Sequence, residues 1–362
     1  MEKRESNIIK GIAVIMMLVH HLFNDRKLIK LASFGSDWSK DTVYHASVFF
    51  KICVPIFVFI SAYGLSKQYV KKDILRDGKT VAKDAFRRYK KLIFGLWAIM
   101  AVAVVVSFIV NKHLPQDVYA PKEGDRFVKN LIIDMLGLSK FFETPLYNNT
   151  WWYIGFAILL FMLLPLINML HGRVGALIIP LSLFAAVLLQ EFQNTMAVYL
   201  SRYILGIAVA VVFARDNIIE KFKETVTSNL VRILFVIAEI GAIVACYYLR
   251  SKAIMDYFVM DNLSAIAIIM FICTISDIRI LKPLYWVLGM LGAYSMNMFL
   301  GHTFIKSYFF KDFTYSFKYW WLISIMLIVI SFAVSFALEM CKKGIDKLIK
   351  MIKNGRKIQT EQ

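Results

Sequence analysis

Apolar runs of roughly membrane-spanning length recur along the chain, at 8–24, 45–66, 89–111, 151–170, 174–190, 198–214, 230–249, 257–275, 283–305 and 320–341. A helix needs about 20 apolar residues to cross about 30 Å of hydrocarbon. The pattern therefore predicts an all-α fold, a polytopic transmembrane helical bundle of about ten spans. The runs at 174–190 and 257–275 fit least well: the first is short and the second carries Asp261 and Asn262.

The polar stretches between the runs set the orientation. Segment 67–91 is rich in cations (among them Lys71, Lys72, Arg76, Arg87, Arg88, Lys90 and Lys91), and so is the end of the chain, with Lys342, Lys343, Lys347, Lys350, Lys353, Arg356 and Lys357. Ten spans put both on the same side as the N-terminus, which the positive-inside rule makes cytoplasmic. The expected organisation is a membrane domain over 1–345 and a basic cytoplasmic tail over 346–362, in a multi-pass protein of a cell membrane, expected to be a bacterial plasma membrane. The first run lacks a small-x-small cleavage site after it and reads as a retained span. On the other side the longest segment, 112–150, contains Pro115, Pro121, Gly124, Gly137 and Pro145. A connection of that length suggests a lid or re-entrant piece over the outer mouth.

Composition agrees. Hydrophobic residues make up 59% of the chain and charged ones only 19%, against about half and a quarter in soluble domains. The net charge of +18 lies in the loops, where it suits anionic lipid headgroups rather than nucleic acid. Cys53, Cys246, Cys273 and Cys341 lie in or beside apolar runs at no metal-ligand spacing, which argues against a disulfide framework or a metal site.

Candidate chemistry concentrates in the first span. Lys10 and His21 are eleven residues apart, so on a helix they share a face, separated by roughly 16 Å along the axis. Ala13 and Met17 fall between them, and His20 points about 100° away. Polar groups at such depth usually face a cavity or a partner, and a histidine there suits general base chemistry. The same spacing also fits a lysine snorkelling to one interface and histidines marking the other. Glu239 lies mid-span, where a lone carboxylate needs a partner or a cavity. Trp151 and Trp152 fit the outer aromatic belt, with sugar stacking as the alternative. Asp261 and Asn262 fit either the outer interface or an acceptor pocket. Asn148-Asn149-Thr150 matches a glycosylation triplet of a kind common by chance.

Lys10-x10-His21 resembles the Arg-x10-His signature of membrane acyltransferase family 3, with lysine in place of arginine. Lysine keeps the charge and loses the bidentate fork. Other segments agree in order and spacing. Val54-Pro55-Ile56-Phe57-Val58-Phe59-Ile60-Ser61-Ala62-Tyr63-Gly64 is similar to the family's second-span motif, with Ala62 for the usual glycine. Phe86-Arg87-Arg88-Tyr89-Lys90-Lys91 is similar to its basic motif at the third span, and Tyr147-Asn148-Asn149-Thr150-Trp151-Trp152-Tyr153 to its aromatic entry to the fourth. Ser295-Met296-Asn297-Met298-Phe299-Leu300-Gly301-His302 is similar to its late Ser…Tyr-Leu-x-His motif. The resemblance runs from about residue 6 to 340.

The resemblance implies an acyl-CoA-dependent O-acyltransferase, expected to be an O-acetyltransferase. It would move an acyl group from cytoplasmic acetyl-CoA, or another acyl-CoA, to a hydroxyl of a cell-surface or lipid-linked polysaccharide. It implies His21 as the catalytic base. Lys10, Arg87 and Arg88 would be the residues on the donor's phosphates; an ordinary positive-inside flank is the other reading of the two arginines. His302, Ser295, Trp152 and Glu239 are the substrate-side candidates. An acyl-enzyme step and a small-molecule or lipid acceptor stay open. So does a transporter of a small molecule or glycan precursor, although the chain shows no internal repeat or matched pair of broken helices.

Overall fold

The computed structural model describes residues 1–34, 39–122, 124, 126–252 and 256–360, with 345, 346 and 348–360 as backbone only. The side chains of the expected tail cations Lys350, Lys353, Arg356 and Lys357 thus lie outside the described residues. The α-helices are α1 (Lys3–Phe23), α2 (Lys40–Phe49), α3 (Cys53–Lys71), α4 (Gly78–Val110), α5 (Pro115–Tyr119), α6 (Phe127–Met135), α7 (Trp152–Val174) and α8 (Ile178–Gln190). They continue with α9 (Thr195–Arg215), α10 (Ile218–Thr225), α11 (Asn229–Ser251), α12 (Tyr257–Ile275), α13 (Lys282–Thr303), α14 (Lys311–Ser316) and α15 (Trp320–Thr360). No strand occurs among the described residues; a single bridge joins Ser33 to Tyr319.

A helix stands at each of the ten predicted places. Among the described residues eight segments are long and apolar enough to cross a membrane, and one of these, Asn149–Gln190, contains both α7 and α8. Those two helices part at Gly175, whose φ of +58° and ψ of −139° suit a residue without a Cβ. α13 falls outside the eight. Starts are set by side-chain caps. The Ser39 hydroxyl accepts from Thr42 N at 3.1 Å, Asp77 from Thr80 N at 2.8 Å and Asn194 from Met196 N at 2.9 Å. The Asp77 cap starts α4 at Gly78, so the basic segment 78–91 is helix and not loop. α15 runs unbroken through 345/346, so the expected domain boundary there coincides with no break in the helix.

α4, α11 and α15 turn large apolar side chains outward, among them Phe108, Ile109, Leu230, Ile237, Val244 and Val329. An apolar surface of that extent belongs in lipid. The chain is a multi-pass membrane protein. At the basic end of the bundle, buried Glu5 accepts from Ser276 at 2.8 Å and pairs with Lys223, while Lys67 meets Glu220 at 3.0 Å. α1, α3, α10 and the α12–α13 turn are thereby tied together.

α1 and α13 run side by side from the basic end, and their backbones nearly touch. A Cβ on Gly11 would lie 2.0 Å from the Leu288 carbonyl oxygen, and one on Gly292 would lie 1.8 Å from that of Asn7. Small residues allow this approach, which dispersion rewards inside a membrane.

Segment 112–150 is a packed wall. Asp134 accepts from Tyr119 Oη at 2.7 Å, Ser139 Oγ at 3.1 Å and Tyr147 N at 2.7 Å. Around that centre Tyr119, Tyr147 and Trp151 pack on α4, α7 and Phe304. Among the described residues of this segment only Thr150 lines the cavity described next, so those residues form a side wall and not the expected lid.

Candidate active site

A cavity of about 390 Å³ runs inside the bundle between α1, α3, α4, α7 and α13. α1 supplies Asn7, Lys10, Met17, His20 and His21 to its wall. The structure thus brings Lys10 and His21 to one cavity, as one helix face requires. Ala13, expected on the same face, is instead buried in the core, and His20, expected to point away, also reaches the cavity. A groove spanning Asn7 to His21 is wider than a single row of side chains, and two adjacent rows line it.

Three imidazoles meet at the end away from the basic loops. The His21 ring lies 5.0 Å from that of His302 and 5.1 Å from that of His20, centroid to centroid. Their bonding differs. His20 Nδ1 donates to the Ser47 carbonyl at 2.7 Å, and its Nε2 accepts from the Asn24 amide at 3.2 Å. His302 Nδ1 donates to the Phe299 carbonyl at 2.8 Å, and its Nε2 lies 3.2 Å from the Thr303 hydroxyl. A carbonyl can only accept, so both rings are held as the Nδ1–H tautomer. Among the described residues no hydrogen bond engages either ring nitrogen of His21. Of the three, it alone has its ring nitrogens free to take or give a proton.

Lys306 follows α13 in the π-helical turn Phe304–Phe309 and donates from Nζ to the His21 carbonyl oxygen at 2.5 Å. Burial pushes its ammonium down to about 8, with Asp25 acting in the opposite sense. At the other end of the cavity Lys10 makes no ion pair among the described residues, and Lys3 and Lys91 are near enough for their charges to bear on it.

The remaining predicted residues divide. Ser295 and Trp152 line the cavity, and the Trp152 ring lies tilted against that of Tyr199, 4.4 Å between centroids. His302 is fully buried behind His21 and lines no part of the cavity. Arg87 and Arg88 also stay out of the cavity wall. Both pair with Asp84 one helical turn away, and Arg88 Nη2 reaches Gln68 at 3.1 Å. Glu239 lies on α11, away from the cavity, and accepts from Thr274 Oγ1 at 2.7 Å. Trp151, expected in the aromatic belt, is instead buried, with its indole N–H on the Leu300 carbonyl at 3.0 Å. Asn148 is fully buried, and its amide oxygen accepts from Thr150 Oγ1 at 2.8 Å, which closes the glycosylation triplet to modification in the folded chain.

A second cavity, of about 790 Å³, is lined from α2, α8, α9, α11 and α12. Lys51 lines both. Sequence reading missed it, although a lysine inside the run 45–66 is the kind of signal that marks a cavity in a membrane.

A family model described as an acyltransferase domain matches residues 4–340. The chain belongs to membrane acyltransferase family 3. No curated protein and no solved structure matches it. Every residue of this acyltransferase that lines the two cavities lies inside the matched stretch. As a family member the chain is a transferase of acyl groups, and Lys10 and His21 both line one of its cavities.

Proposed function

We propose that this acyltransferase moves an acyl group, in the first instance acetyl, from a cytoplasmic acyl-CoA to a hydroxyl of a cell-surface or lipid-linked glycan. The observation that carries this reading is one cavity lined both by Lys10, at its basic end, and by His21 at the other, neither side chain with an ion pair or ring-nitrogen hydrogen bond among the described residues. A coenzyme with several phosphates cannot cross hydrocarbon. Its thin pantetheine arm can enter a narrow passage while the nucleotide stays at the basic end. Lys10, with Lys91 and Lys3 close by, would hold phosphate there. Arg87 and Arg88 would add to the positive field from outside the wall, since Asp84 already engages them.

At the far end the acceptor hydroxyl attacks the thioester carbonyl while His21 takes its proton. The tetrahedral intermediate then collapses to the ester and the coenzyme thiolate, which recovers the proton from the imidazolium. His302 and Lys306 position His21, one by ring contact and the other through its carbonyl oxygen.

The test is transfer of label from acetyl-CoA, supplied at the basic face of proteoliposomes, to a surface polymer or lipid-linked glycan outside. Incorporation into an ester, lost on mild alkaline hydrolysis, is expected. Lys10→Met should raise the donor KM about tenfold or more, the worth of one charge-assisted contact. Movement of intact glycan precursor without ester formation would make the protein a transporter instead.

A further inference from the structure

The second cavity has a composition of its own. At about 790 Å³ it is of a size that takes a ligand. Its wall comes from the ends of five helices remote from the basic face, and it holds Tyr44, Tyr203, Tyr247 and Tyr257 together with Lys51, Arg202 and Arg250. Arg250 is accounted for: its Nε donates to Asp261 Oδ1 at 2.5 Å and its guanidinium lies 5.4 Å over the Tyr257 ring. Lys51 and Arg202 are not. Among the described residues neither has a carboxylate within ion-pair distance, yet their charges act on one another. The remaining acid, Asp256, sits exposed at the start of α12. Asp261 also lines this cavity and its charge reaches Lys51, but Arg250 already engages it, so Lys51 and Arg202 still repel across a wall that carries more cation than carboxylate. A bound anion would remove that repulsion, and the tyrosines around it offer faces and hydroxyls of the kind sugar rings use.

We infer that this outer vestibule is the acceptor site and that it selects a saccharide bearing an anionic group, a carboxylate or a phosphate, held between Lys51 and Arg202. The inference rests on the reading of the chain as a glycan acyltransferase and adds the acceptor's class to it. Lys51 gives the geometric link, because it lines both cavities. An anion on Lys51 puts the neighbouring sugar hydroxyls at the entrance where His20 and His21 stand. Trp152 joins the two spaces as well, with its indole in the inner cavity and 6.4 Å from the Tyr203 ring in the outer one.

The experiment measures binding of three probes to the purified full chain in detergent: a uronic-acid oligosaccharide, a glycosyl phosphate and a neutral oligosaccharide of equal length. Binding is read directly, so it needs no turnover. At least one acidic probe should bind about tenfold or more tighter than the neutral one, with an affinity that falls as salt rises. Whichever acidic probe wins identifies the source of the charge. Arg202→Gln should remove about tenfold of that preference and Arg202→Glu should abolish it. Both should leave the donor KM unchanged. The Arg202 side chain is exposed and makes no side-chain hydrogen bond among the described residues, so these variants should fold. Equal binding of acidic and neutral probes by the unaltered protein, or an unchanged preference in Arg202→Glu, overturns the inference. Ester formation that persists in either case leaves the acyltransferase reading standing.

Discussion

The imidazoles of His21 and His302 lie with centroids 5.0 Å apart on two helices that run side by side from their contact at Gly11 and Gly292. His302 is fully hydrogen-bonded and buried, whereas His21 reaches the cavity with its nitrogens free. The same pair of residue types therefore has two unequal parts to play. His21→Ala should lower acyl transfer about 10²- to 10⁴-fold, the range for losing a general base, with folded protein at normal levels. The check is ester formation normalised to folded protein. Transfer at the unaltered rate would remove His21 from the chemistry.

Gly292→Ala should be strongly destabilising. Its new methyl would lie 1.8 Å from the Asn7 carbonyl oxygen, a backbone atom that can move only if α1 moves. A loss of about 3 kcal/mol or more is expected. Thermal unfolding in detergent is the measurement, with Gly289→Ala beside it as control. The methyl of that control meets nothing within 4 Å and should cost little.

Asp134→Ala should loosen segment 112–150 specifically. Three donors lose one acceptor, at about 1–3 kcal/mol for each group left buried and unpaired. Hydrogen exchange over 115–147 should speed up well before the spans are affected. Asp134→Asn keeps an accepting oxygen and should be milder.

Lys306 predicts a dependence of stability on pH. Burial lowers its ammonium from the usual 10.5 to about 8, so the folded chain releases this proton before the unfolded chain does. Between those two values the unfolded state binds more protons, and stability should rise as pH rises through the window. Below about 8 the cost of the buried charge is present in full. Thermal midpoints measured across this range should climb for the unaltered protein and climb less steeply in Lys306→Met.

Sequence periodicity read the fold well, because a helix in lipid must be apolar for its whole length and long enough to cross. It also placed Lys10 and His21 on one wall, since their spacing along one helix is local. What it missed depends on other helices. Trp151 and Trp152 are neighbours in sequence, yet a turn of about 100° sends one into the core and the other to the cavity. Lys306, just past the run at 283–305, reaches the His21 carbonyl only because a π-helical turn follows α13. The Asp84 pairs of Arg87 and Arg88 were readable, since Asp84 stands three and four residues before them, the spacing at which helical charges pair.

The glycine contact between α1 and α13 has a bearing on motion. Backbones already in van der Waals contact can close no further, and drawing them apart would open an unfilled slot beside Asn7 and Leu288. The His21 wall is therefore a fixed post. Any change in bore that lets an acyl chain through must come from the facing side, where Phe57, Leu92 and Phe161 can swing aside by changing rotamer. Acyl-chain length should accordingly be tuned by the bulk of those three side chains, and not by the helix that carries the histidine.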